Sequence, residues 1–147
     1  MEHTLAYFVG AMKADLEQYC RAQLRAEGLT RGQLYFLLYI VKRPGCSPGQ
    51  AAAALMADAG QATRTIDKLV QCGCVERSRD RSDRRAVVLY ATQRGREVYE
   101  RALAQFHSWD DEMMQTLSEP QRETLQACMT SLMDTHRERI AAQEEAR

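Results

Sequence analysis

The chain has 147 residues, with 20 Lys and Arg against 20 Asp and Glu, three His and five Cys. That length suits one compact domain, and a charged fraction of 27% excludes collagen-like and disordered classes. The longest apolar runs, 34–41 and 51–57, fall far short of the roughly 18–20 residues of a membrane span, and no signal-peptide core opens the chain, so a soluble, cytoplasmic protein is expected.

Leu5, Phe8, Val9, Met12, Leu16, Tyr19 and Cys20 share one helical face, which predicts a long helix over about 4–27, stopped by Gly28. Thr30 and Gln33 have capping-box spacing and open a second helix to about Val41, before Pro44 and Gly45. Ser47 and Gln50 repeat that spacing, with Pro48 at the first helical position of a short Ala-rich helix to about Met56. Asp58 then caps a helix whose inward face is Ala62, Ile66, Leu69 and Val70, closing at Gly73.

After Gly73 the period changes. Residues 75–79 and 86–91 are short and β-prone, separated by the charged stretch Asp80–Arg85, which predicts a hairpin with a long basic tip. Thr92 and Gly95 lead into a long helix with Val98, Ala102, Phe106, Trp109, Met113 and Leu117 on one face. A third capping box at Ser118 and Gln121 starts a last helix, with Leu125, Met129, Leu132, His136 and Ile140 inward. This order is mainly α with a small β-hairpin wing. It predicts one domain over 1–147: a winged helix-turn-helix core at 29–95, flanked by long helices at 1–28 and 96–147. Apolar residues on the terminal helices lack an obvious partner within one chain, which points to a homodimer built from the termini.

A net charge of zero hides a segregation. Residues 58–96 hold nine basic groups against five acidic, and residues 97–147 five basic against eleven acidic. A polyanion is attracted to the middle and repelled by the end. Gln61, Arg64, Thr65 and Lys68 follow i, i+3, i+4, i+7, opposite the apolar face of their helix. Arg and Gln pair bidentately with guanine and adenine edges, and a major groove admits a helix. Gly60 leaves room for the helix start to approach phosphate. Asp67 is placed to pair with Arg77 on the strand behind, fixing wing to helix.

The segments 29–40, 47–55, 58–78 and 80–98 together resemble the MarR family of bacterial transcription regulators. The most specific parts are Thr63-Arg64, Asp67 and Leu69 on the reading helix, and Glu76-Arg77, Asp80, Asp83-Arg84-Arg85, Thr92 and Gly95 in the wing and beyond. Ala91 departs from the Leu usual before that Thr, and the Ala51–Ala54 run is unusually small. The resemblance implies a homodimer on a pseudo-palindromic operator in double-stranded DNA, acting as a repressor released by a small-molecule effector. It also implies DNA contact by Gly60, Gln61, Thr63, Arg64, Thr65 and Lys68. In the wing, Asp83 orients Arg85 by a charge-assisted bond for entry into a minor groove, with Arg84 or Arg81 nearer the phosphates.

Family members often take small aromatic acids or phenols between the dimer helices and the DNA-binding lobe, which makes Tyr35, Tyr39 and Trp109 candidate effector contacts. An odd count of Cys with no repeated CxxC reads as reduced thiols. Cys20, Cys72 and Cys74 are the candidates for the alternative of a thiol-based redox regulator. His107 with Asp110 or Asp111 is the one candidate metal pair, and neither metal nor cofactor is expected. No hydrolase, metalloprotease or nucleotide fingerprint occurs, so an enzyme is not expected. The rival outside DNA binding is an interaction module whose hairpin docks on protein.

Overall fold

Thr4 caps the first helix with its hydroxyl, which accepts the Tyr7 amide at 3.3 Å, and α1 then runs through Leu5–Glu27. The computed structural model describes residues 4–80 and 83–145, with backbone alone at 136–138 and 140–145. The elements that follow are α2 (Arg31–Lys42), α3 (Pro48–Ala54), α4 (Ala59–Gln71), β1 (Val75–Arg79), β2 (Val87–Ala91), α5 (Gln93–Met114) and α6 (Glu119–Glu145). Two compact units result, Met1–His107 and Ser108–Arg147.

Both capping boxes of the first unit are formed. Thr30 and Gln33 exchange side-chain-to-backbone bonds at 2.7 and 3.3 Å, and Ser47 and Gln50 do so at 2.8 and 3.1 Å. β1 and β2 pair antiparallel from Val75 opposite Ala91 to Arg79 opposite Val87, and Cys46 adds a bridge to Leu89. Under this hairpin lies the core. Leu37, Ile40, Ile66, Leu69, Leu89, Val75, Val98 and Cys74 are fully buried, each large side chain worth about 1.5–3 kcal/mol by removal from water. The Glu27 carboxylate accepts from Arg101 at 2.6 Å, and Gln105 donates to the Tyr19 carbonyl at 3.2 Å, tying α5 to α1. Arg31 on α2 is paired with Glu17 on α1.

Several boundaries differ from the sequence expectation, each for a local reason. α3 ends at Ala54 instead of reaching Met56, because the Met56 amide turns back to the Ala53 carbonyl (3.2 Å) and the Ala57 amide to the Ala52 carbonyl (2.9 Å). This closure puts Met56 at φ 52°, the left-handed region that Gly28 (φ 68°) and Gly73 (φ 73°) occupy after α1 and α4. β2 starts at Val87 instead of Ala86, whose amide is drawn into the tip by the Asp83 carbonyl at 2.9 Å.

In the second unit, α5 stops at Met114, and Leu117 lies past it, its amide bonded to the Met114 carbonyl at 2.9 Å. The third capping box is half formed. Gln121 Oε1 accepts the Ser118 amide at 2.8 Å, while the Ser118 hydroxyl donates to that same oxygen at 3.0 Å and the Gln121 amide goes to the Ser118 carbonyl. Leu125, Met129 and Leu132, expected inward, are exposed together with Met133. Their spacing gathers them on one face, and helical period alone does not supply a covering surface. The side chains of His136 and Ile140 lie outside the described residues. No helix among the described residues is long and apolar enough to cross a membrane.

Candidate nucleic-acid interface

α4 owes its start to Asp58, whose Oδ1 accepts the Gln61 amide at 2.8 Å. Ala62, Ile66 and Leu69 point into the core, which leaves Gln61, Thr63, Arg64 and Lys68 exposed and Thr65 half-buried. Thr63 turns its hydroxyl back to the Ala59 carbonyl at 2.8 Å, so its donor is already used within the helix. At Gly60 an added Cβ would stand 3.3 Å from Arg64 Nη1 and 3.2 Å from Asp58 Oδ1. The missing side chain thus makes room for the Arg64 guanidinium across the first turn. Lys68 Nζ donates to Gln71 Oε1 at 3.2 Å, along the helix surface.

The wing is fastened to this helix from behind. Arg77 Nη2 meets Asp67 Oδ1 at 2.6 Å, the pairing expected from the sequence. Thr92 closes the base of the hairpin: its hydroxyl donates to the Gly73 carbonyl at 2.6 Å and accepts the Gly95 amide at 3.0 Å, capping α5. A Cβ at Gly95 would run into the Cys74 carbonyl, which explains a glycine inside the first turn of α5.

At the tip, Asp83 behaves differently from the expectation. Its Oδ1 accepts the backbone amide of Arg85 at 2.9 Å, so the contact it makes to Arg85 orders the main chain. A carboxylate two residues before an amide closes a local ring more readily than it reaches around to the end of a long side chain. Arg79 Nη1 donates to the Arg85 carbonyl at 3.2 Å, and Asp80 Oδ1 accepts the Asp83 amide at 3.0 Å. Arg84 and Arg85 are exposed, and Arg81 lies outside the described residues. Sequence reasoning missed the Arg79 contact, which spans six residues and depends on the path of the loop.

Away from the wing, a crevice of about 440 Å³ joins Tyr35 and Tyr39 of α2 to Tyr99 and Phe106 of α5, with Lys42 and Arg43 among its lining. Tyr99 was not singled out from the sequence, although it stands seven residues, two helical turns, before Phe106. A second crevice, about 310 Å³, lies between α1 and α2, with Lys13, Arg21, Arg25 and Arg31 among its lining. Trp109 belongs to the second unit and is buried.

All five cysteines are free thiols. Burial pushes the Cys20 and Cys46 thiols up, and burial together with the neighbouring Cys72 pushes Cys74 up to about 11. These shifts oppose the thiolate that a sensing cysteine needs. Cys72 is half-buried and donates to the Leu69 carbonyl at 3.3 Å. Among the described residues, no His, Cys, Asp and Glu cluster could hold a metal.

A three-helix core, a polar face on the second helix of the helix-turn-helix and a basic hairpin beside it define a winged helix-turn-helix DNA-binding protein. Residues 27–86 match the sequence model of the MarR family. The chain is 39% identical over 135 residues to the HTH-type transcriptional regulator BilQ of Clostridium symbiosum (strain WAL-14163), covering 92% of this chain and 94% of that one. It is 30% identical over 122 residues to the BilQ regulator of Clostridioides difficile (strain CD3), covering 83% and 82%. The crystal structure of MarR aligns with a TM-score of 0.82 at 25% identity, over 95% of this chain and 97% of that one. The chain belongs to the MarR family of transcriptional regulators, which are DNA-binding proteins and not enzymes.

Proposed function

We propose that this protein is a homodimeric repressor of the cytoplasm that binds a pseudo-palindromic operator and leaves it when a small effector binds. The observation that carries the reading is the exposed Gln61, Arg64 and Lys68 face of α4, with the wing fastened to the same helix through Asp67 and Arg77. Gln61 and Arg64 meet base edges in a major groove, and Lys68, further along, meets phosphate. Gly60, Thr63 and Thr65 line the approach. Arg85 enters the neighbouring minor groove from a main chain ordered by Asp83, with Arg84 nearer the phosphates.

The exposed Leu5, Phe8, Val9 and Met12 of α1, and Leu125, Met129, Leu132 and Met133 of α6, support the dimer. Two apolar stripes of this size stay in water unless another chain covers them. The working unit in this reading is residues 1–147, with 29–95 reading DNA and 1–28 and 96–147 pairing two copies. The effector is a small aromatic or phenolic molecule, with Tyr35 and Tyr39 as contacts in the crevice against α5.

Fluorescence anisotropy with duplex fragments of the source genome, at several salt concentrations, tests the reading. A slope of log affinity on log salt of several units, with a few fragments bound far more tightly than the rest, is the expected result. Binding without salt dependence, or equal binding to every fragment, would overturn it.

A further inference from the structure

β1 carries two arginines on one face, Arg77 and Arg79, with Ser78 between them on the other. Arg77 ties the strand to α4 through Asp67, and Arg79 ties the same strand to the loop tip through the Arg85 carbonyl at 3.2 Å. On the other side of the Arg85 Cα, its amide is held by Asp83 Oδ1 at 2.9 Å. Both peptide groups that flank this Cα are therefore fixed, and with them the direction in which its side chain leaves the backbone. The holding groups are themselves held. Asp83 gives its amide to Asp80 Oδ1 at 3.0 Å, and Arg79 stands in the ladder opposite Val87. A guanidinium bonded to a carbonyl makes a charge-assisted hydrogen bond, stronger than a neutral one.

We infer that Arg79 is a positioning residue of the wing, which aims Arg85 through its carbonyl and does not itself contact DNA. The inference rests on the reading above that the wing enters a minor groove. It assigns the aim of Arg85 to two clamps, one on each side, where the sequence suggests a single carboxylate. It also makes β1 the strut that carries the orientation of α4 to the tip.

A double-mutant cycle tests it. The wild type, Arg79→Ala, Arg85→Ala and the double variant are titrated on a duplex that the wild-type protein selects from random sequence. Each is titrated with AT-rich and with GC-rich flanks and at several salt concentrations. Arg85→Ala is expected to lose the preference for AT-rich flanks by about ten-fold. Arg79→Ala should reproduce most of that loss, and the double variant should bind like Arg85→Ala, within about two-fold and with the same salt slope. Additive losses, with the slope falling by about a further 0.9 unit, would make Arg79 a phosphate contact and overturn the inference. So would an Arg79→Ala protein that keeps its flank preference while Arg85→Ala loses it. If Arg85→Ala keeps full affinity and preference, the minor-groove reading itself fails, and the inference with it. Arg79→Met, which removes every donor and retains a long side chain at the strand end, repeats the cycle should the alanine variant melt early.

Discussion

The Asp67 carboxylate accepts from the Arg77 guanidinium at 2.6 Å, a contact that, beside the shared core of Ile66, Leu69 and Val75, joins the reading helix to the first strand of the wing. Both side chains are more than a third exposed, so water screens the pair and its share of stability is small, about 0–1 kcal/mol. In the function proposed above its weight falls on DNA binding, because helix and wing would have to meet two grooves at once. Asp67→Ala should shift thermal unfolding little while weakening operator binding several-fold. Equal and small effects in both assays would show that the wing holds its place without this pair.

The two long side chains on the face of α4 should fail in different ways. Arg64 lies across the first turn at Gly60, close to the helix start that the proposed function places in a groove. Arg64→Ala should cost about 1–3 kcal/mol on the selected operator and relax the preference at one position per half-site. Lys68 lies a turn later and bonds along the helix to Gln71. Lys68→Ala should weaken all sequences alike and flatten the salt slope by about one unit. Isotherms on operator and scrambled DNA read both effects, and exchanged phenotypes would mean a helix rotated from this placement.

Met56 stands where glycine stands after α1 and α4, at φ 52° and with 75% of its surface exposed. A side chain with a Cβ in that region carries a cost of about 1–2 kcal/mol, and this one has little packing to offset it. Met56→Gly should stabilise the protein by about 1 kcal/mol in thermal or urea unfolding. A loss of stability would mean that the methionine packs against something the exposed position does not suggest.

The local parts of this fold were legible in the sequence because their causes are local. Thr30 with Gln33 and Ser47 with Gln50 are three residues apart, and both boxes form. Periodicity put Gln61, Arg64 and Lys68 opposite Ala62, Ile66 and Leu69, where the structure has them. The contacts at the wing tip were not legible, since the Arg79 bond to the Arg85 carbonyl depends on a loop path that no residue pattern sets. Met56 in a glycine's place was missed for the opposite reason: Ala-rich periodicity simply ran on through it. On α6 the pattern told which of Leu125, Met129 and Leu132 share a face, but a face is buried only by something that covers it.

The thiols should separate by burial. Cys128 is exposed and Cys72 half-buried, while Cys20, Cys46 and Cys74 are buried. A chromogenic disulfide reagent at pH 8 should react slowly with Cys72, and with Cys20, Cys46 and Cys74 only after denaturant is added. Cys128, beside the α6 stripe that the proposed dimer covers, should react faster as the chain is diluted toward monomer. Cys74, pushed from 9.0 to about 11 in the folded chain, holds its proton more tightly there than when unfolded. Its contribution to stability is therefore full below pH 9 and is lost as pH rises from 9 toward 11. Rapid reaction of Cys20 or Cys74 in the native protein would reopen the redox reading.

Selection from a pool of random duplexes at about 150 mM salt, the regime in which specific and non-specific binding separate, bears most directly on the central claim. A winged-helix homodimer should enrich an inverted repeat whose half-sites lie about one helical turn apart, 10–10.5 base pairs centre to centre, with AT-rich flanks beneath the wings. The same pool offered to Arg64→Ala should return that repeat with one position per half-site relaxed. A pool that stays random, or one that converges on a single unrepeated site, would contradict the account of two reading helices in one dimer.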